Sequence, residues 1–274
     1  MKKKNQKIGL ASMALVLIVL LACNKSDTVN ATPVASTSTS TGTVENPANT
    51  GNGTVTSDVP DIYKKIYGAT DIYMDGDYVV IQVTGLPDHK SPYYLSTQWE
   101  SSMYEAYNGT NSMFNLNPNR ISQSNMTFRI PVNPQEATSK RSTPMGPMGI
   151  SLNGVPFYNQ YAAGGSPLTG EINSFDQYNG HPQQMGGYHY HVEPLWLTSN
   201  KGKDVLLGFL LDGFPVYGPM EEGRTLTSSD LDAYHGHTHA TADYPEGIYH
   251  YHVSADAPYL NGDGFFGNAG TVSQ

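Results

Sequence analysis

Four of the chain's nine histidines stand in two copies of one short run. His189 and His191 belong to GGYHYHV (186–192), and His250 and His252 to GIYHYHV (247–253). Successive side chains of an extended strand point to opposite faces, so each histidine pair shares one face, about 6.6 Å apart along the strand. Two imidazoles so placed can lean onto one cation at about 2.0–2.1 Å per bond. A Gly-His dipeptide precedes each run and supplies His181 and His237. A third imidazole delivered from such a loop makes a three-nitrogen site for copper, zinc, nickel or iron, with one position open to water or substrate. In the second copy HGHTH adds His235 and His239 as further candidates for ligand or supporting group. The histidine face continues to Glu193 in the first copy, a candidate general base, and to Ser254 in the second.

The same residues allow other readings. Tyrosine and histidine both suit half-buried strands and could build a hydrogen-bonded aromatic ladder between sheets. A metal-free catalytic histidine would pair with a serine nucleophile, but the chain has no Gly-x-Ser-x-Gly elbow. Asn153 in LNGVPFY and Asp212 in LDGFPVY read as turn formers before ligands, because Asx-Gly followed by Pro describes a tight turn entering an extended segment. YMDGDY and LNGDGFFG lack the spacing and closing glutamate of an EF-hand.

The elements that would position these groups repeat as well. GISLNGVPFY (149–158) aligns without a gap on GFLLDGFPVY (208–217), and FDQYNGH (175–181) on LDAYHGH (231–237). With the two histidine runs, three blocks recur in one order at nearly constant offset. That predicts two copies of one unit, 149–192 and 208–253, paired about a pseudo-twofold over one shared core. It leaves open whether the six histidines make one site or two. Upstream, alternating apolar residues around Asp75-Gly76 predict a hairpin over 71–83. SNMTFRIPV predicts a strand, and residues 97–107 one short helix. Gly and Pro punctuate the remainder, so the expected fold is mainly β, a compact domain of short strands and structured loops over residues 61–274.

The 274-residue chain begins with a basic segment, an apolar run and Leu20-Leu21-Ala22-Cys23. This reads as an export signal over 1–22. Its end resembles the bacterial lipobox, which implies lipidation of Cys23 and a place in the cell envelope, facing outside the cytoplasm. Residues 24–60 contain no aromatic side chain and are rich in Ser, Thr, Asn and Pro, so a flexible tether is expected over 23–60. Cys23 is the only cysteine, which excludes disulfides, iron–sulfur clusters and thiolate metal sites. Without the leader, 11 basic side chains face 24 acidic ones, a balance of −13 that argues against nucleic acid as a partner.

Across about 62–267 the chain resembles the YHYH family, found mostly in exported bacterial proteins. The resemblance rests on GLPDH (85–89), LNGVPFY, LDGFPVYGP, both Gly-His positions and both Tyr-His-Tyr-His runs. The family brings no established activity, but its pattern adds His89 as a candidate. The expectation is therefore a lipid-anchored protein that binds a transition metal, copper or zinc. The alternatives are a metal-dependent enzyme with Glu193 as base and a metal-free structural module.

Overall fold

The computed structural model describes residues 53–262 and 264–274. The expected leader, Cys23 and the tether as far as residue 52 lie outside the described residues. Within them no helix is long and apolar enough to cross a membrane. The structure is mainly β, with 32% strand and 12% helix.

In chain order the strands begin with β1 (Thr54–Val55), β2 (Ala69–Asp75), β3 (Tyr78–Val83), β4 (Met126–Pro131), β5 (Glu136–Arg141), β6 (Gly149–Ser151) and β7 (Pro156–Phe157). There follow β8 (Tyr161–Ala162), β9 (Ser166–Pro167), β10 (Gly180–Pro182), β11 (Tyr188–Tyr190), β12 (Leu206–Leu210) and β13 (Pro215–Tyr217). The last are β14 (Met220–Glu221), β15 (Arg224–Thr225), β16 (Gly236–His239), β17 (Ile248–His252), β18 (Phe265–Gly267) and β19 (Thr271–Ser273). Two short helices, α1 (Glu100–Met103) and α2 (Leu195–Lys201), complete the regular elements used below.

A five-stranded sheet runs β1-β2-β3-β4-β19. Its hairpin forms where the pattern predicts: Asp75 faces Tyr78, leaving Gly76-Asp77 as a two-residue turn. Gly76 there takes a φ of 60°, which a residue without Cβ reaches at no steric cost. In β4, Met126, Phe128 and Ile130 are buried and alternate with half-buried neighbours, the period of a strand with one face on a core. That core is continuous with the buried side chains of β12, Leu206, Leu207, Phe209 and Leu210, and Tyr63 meets the ring of Phe209 at 4.7 Å.

Two expectations change. The helix expected over 97–107 is a single turn, because Tyr104 leaves helical geometry (ψ 135°) and bridges to Ser91. The tether expected to reach residue 60 ends sooner. Thr54 and Val55 pair in parallel with Asp71 and Ile72, and Val59 enters the core at 2% exposure. An otherwise open sheet edge thereby gains a partner.

The larger sheet has eight strands in the order β10-β11-β7-β6-β12-β13-β17-β16. At its centre β6 and β12 are antiparallel with Ile150 opposite Phe209, two positions that the repeat alignment equates. Outward on both sides the pairing senses are the same: antiparallel to β7 and β13, parallel to β11 and β17, antiparallel to β10 and β16. A parallel step requires a crossover connection, and each crossover carries a small two-stranded ribbon, β8–β9 or β14–β15. The order places the two histidine runs at opposite ends of the sheet.

Candidate metal centres

Each histidine run is the inner strand of an edge hairpin. His181 on β10 lies directly opposite His189 on β11, and His237 on β16 directly opposite His250 on β17. The third imidazole thus arrives on a neighbouring strand, where a loop was expected. The glycine before it has a steric cause. A Cβ at Gly180 would sit 2.3 Å from the Tyr188 ring, and one at Gly236 would sit 2.5 Å from the Tyr249 hydroxyl. A tyrosine two residues along the neighbouring strand from the glycine's own partner leans over this bare backbone, which lets the strands close and brings the histidines together.

Two four-residue groups result, Glu171 with His181, His189 and His191, and Glu221 with His237, His250 and His252. In each, the ligand atoms all lie within 4.8 Å of one another. In the first, His189 Nε2 is 3.0 Å from His191 Nε2, and Glu171 Oε1 is 3.1 Å from His181 Nε2 and 4.0 Å from His191 Nε2. In the second, His237 Nε2 is 3.2 Å from His250 Nε2 and 3.3 Å from Glu221 Oε2. Glu221 Oε1 lies 3.5 Å from His250 Nε2 and 3.8 Å from His252 Nε2.

The far side of each ring decides what these nitrogens can do. His189 Nδ1 is 3.1 Å from the Gly187 carbonyl and His191 Nδ1 is 2.5 Å from that of Asn159. In the second group His250 Nδ1 is 2.9 Å from the Ile248 carbonyl and His252 Nδ1 is 2.7 Å from that of Gly218. A carbonyl only accepts, so the neutral ring carries its proton on Nδ1 and presents a bare Nε2 lone pair. His181 Nδ1 lies 2.8 Å from the Ser174 hydroxyl and 3.4 Å from the Asn117 side-chain amide, and its Nε2 faces Glu171. Lone pairs facing at 3.0 Å have no proton to share and repel unless a cation stands between them. The buried Nε2 atom of His252 has no hydrogen-bond partner. Nitrogens 3.0–3.2 Å apart and each about 2.05 Å from a shared cation would subtend about 95–105° there, a normal ligand angle.

Burial pushes His191 and His252 down to about 4. Burial and the neighbouring imidazoles hold His189 well below its ordinary value, and burial also lowers His250. Adjacent His181 keeps Glu171 below the usual carboxylate range. Burial would raise Glu221, but the surrounding His237, His252, His239 and His250 outweigh it and hold it low. Near neutrality His189, His191, His250 and His252 therefore offer neutral nitrogens beside an anionic oxygen, the protonation state a divalent metal requires.

The tyrosine face does structural work. Tyr188 donates to Asp176 at 2.9 Å and Tyr249 to Asp232 at 2.9 Å. Those carboxylates also take the backbone N–H groups of Tyr178 and Gly180, and of Tyr234 and Gly236. The first tyrosine of each run thus holds the loop leading to Gly-His. The second holds the tight turn: Tyr251 donates to Asp212 at 2.6 Å, and Tyr190 accepts from Asn153 at 3.2 Å. Asn153 and Asp212 are turn residues outside both groups, and Phe214 N donates back to Asp212 as such a turn requires.

Other candidates fall elsewhere. His89 is on the tyrosine face, its Nε2 3.1 Å from the Tyr190 hydroxyl. His235 is buried against Ser254 at 2.9 Å. His239 stands at the rim of the second group, half exposed, 3.2 Å from Glu221 Oε1. Glu193 does not share the histidine face: β11 ends at Tyr190, the chain bends, and the carboxylate lies 3.8 Å from Lys203. The carboxylates that face the histidines, Glu171 and Glu221, went unnoticed in the sequence. One signal was present, since Glu171 is the only acid between the first two repeat blocks, 159–174.

A cleft of about 290 Å³ opens onto the first group, lined among others by Met145, Tyr158, Glu171, Gln183, His189 and His191. The family described as YHYH protein matches residues 127–227 and 220–263. No curated protein and no solved structure matches the chain.

Proposed function

The chain belongs to the YHYH family, and from that premise we propose that it is a lipid-anchored metal-binding protein of the cell envelope. It holds one copper or zinc ion in each of two centres built from three histidines and a glutamate. The observation that carries this is the set of bare Nε2 lone pairs on His189, His191, His250 and His252, each fixed from behind by a carbonyl on Nδ1 and gathered with a third imidazole beside a carboxylate. Imidazole donors suit copper and zinc, and the single cysteine leaves no thiolate alternative. The aromatic ladder explains the tyrosine face but not the two lone pairs of His189 and His191 facing at 3.0 Å.

The mirrored strand order and the Ile150–Phe209 pairing support reading 149–192 and 208–253 as copies of one unit. One metal per copy follows. Elemental analysis of the purified full-length protein should find two metal equivalents, falling to about one in His189→Ala. Wild-type protein that retains no stoichiometric metal would refute the assignment.

A second reading, a metal-dependent enzyme, is favoured at the first centre by the cleft that reaches it. There a ligand entering the cleft could take an open coordination position and be polarised by the cation. Its carboxylate is Glu171, not Glu193.

A further inference from the structure

Imidazole and carboxylate do not by themselves separate copper from zinc. A softer donor stands at the mouth of the first cleft. Met145 is 57% exposed and lines that cleft together with Glu171, His189 and His191. Its Sδ lies 3.7 Å from the amide nitrogen of Asn159, and the same amide donates to the Pro144 carbonyl at 2.9 Å. Asn159 is buried, and its own carbonyl orients His191. The loop bearing the thioether is therefore fastened to the residue that aims a candidate ligand.

An uncharged, polarisable thioether favours Cu(I) and has little affinity for Zn(II). We propose that Met145 is an entry ligand that captures cuprous ion at the cleft mouth and passes it to His189 and His191, making the first centre a copper site. This rests on the metal-binding reading and deepens it by naming the ion and its route. The transfer exchanges one neutral donor for others and needs no change of oxidation state. Met113 and Met185 are also exposed, at 69% and 80%, but do not line the cleft. They serve as controls.

The test presents Cu(I), as its bicinchoninate complex under reducing anaerobic conditions, to the full-length protein and follows loss of the chelate's colour. The phase due to the first centre is the one missing in His189→Ala. In Met145→Leu, which conserves volume at an exposed position, that phase should slow by about tenfold or more. Final copper stoichiometry and Zn(II) uptake should stay at wild-type levels, and Met113→Leu and Met185→Leu should match wild type. A Met145→Leu protein with unaltered Cu(I) uptake overturns the entry role while leaving the metal centres standing. Equal slowing for Cu(I) and Zn(II) also overturns it, because loop packing rather than sulfur would then be responsible. Wild-type protein that takes up neither ion overturns the metal reading itself.

Discussion

A backbone carbonyl behind His189, His191, His250 and His252 determines which nitrogen of each is free, and hydrogen bonds also set the tasks of the tyrosines. Tyr188→Phe removes a donor from buried Asp176. It should cost about 1–3 kcal/mol in a urea titration while leaving both metal equivalents in place, since the hydroxyl points away from the histidines. Loss of metal from this variant would contradict the division of labour between the two faces. Asp212 offers a pH test. Burial raises its carboxyl from 3.8 to about 6, despite bonds from Tyr251 and Gly267. Between those values the folded chain keeps a proton that the unfolded chain releases, so this group's contribution to stability falls as pH rises from about 4 to 6. Asp212→Asn, which installs the residue type found at the aligned position Asn153, should remove that contribution, worth up to about 3 kcal/mol. The depressed histidines act oppositely in the metal-free protein, weakening it as pH falls from 6.5 toward 4. The difference between variant and wild-type pH profiles isolates Asp212, and identical profiles would show that its carboxyl is not displaced.

At the scale of elements, the edge hairpins are the working parts. Gly180 and Gly236 let a tyrosine ring lie on the neighbouring strand, and the cross-strand histidine pairs depend on that approach. Gly180→Ala forces the β10–β11 pair apart, at a cost of about 1–3 kcal/mol for overpacking. It should weaken metal retention at the first centre and spare the second, with Gly236→Ala giving the converse. Dialysis against a graded chelator series distinguishes the two. Equal loss from both centres in either variant would mean that the glycines act through global stability.

Across the whole molecule, the centres occupy the first two and last two strands of an eight-stranded sheet. Six strand spacings separate them, roughly 28 Å measured along the sheet. At that distance, with no shared partner, the two should behave additively. His189→Ala and His250→Ala should each remove one metal equivalent and the double variant both, whereas coupled loss in either single variant would argue for one shared site. The proposed anchor is tested at the same scale. Cys23→Ser should release the protein from the membrane fraction or leave its precursor uncleaved, and normal processing with membrane retention would sink the lipid assignment.

Period-two alternation was enough to place His189 with His191, and His250 with His252, on a common face, because side-chain direction in a strand is a local property. The recurrence of Gly-His, of the Asx-Gly turns and of the tyrosines was equally legible, and each proved to be a contact within one hairpin-and-turn assembly. Glu193 was misjudged for the same local reason: alternation says nothing about where a strand stops, and β11 stops at Tyr190. Glu171 and Glu221 lie in the connections where the repeat alignment breaks, so no spacing marks them as equivalent. Whether six histidines make one site or two also lay beyond the sequence. Strand order depends on which distant backbones pair, and the antiparallel union of β6 with β12 at the centre sends the two histidine runs to opposite edges. Local chemistry determined what each strand carries, and long-range pairing decided which neighbours it meets.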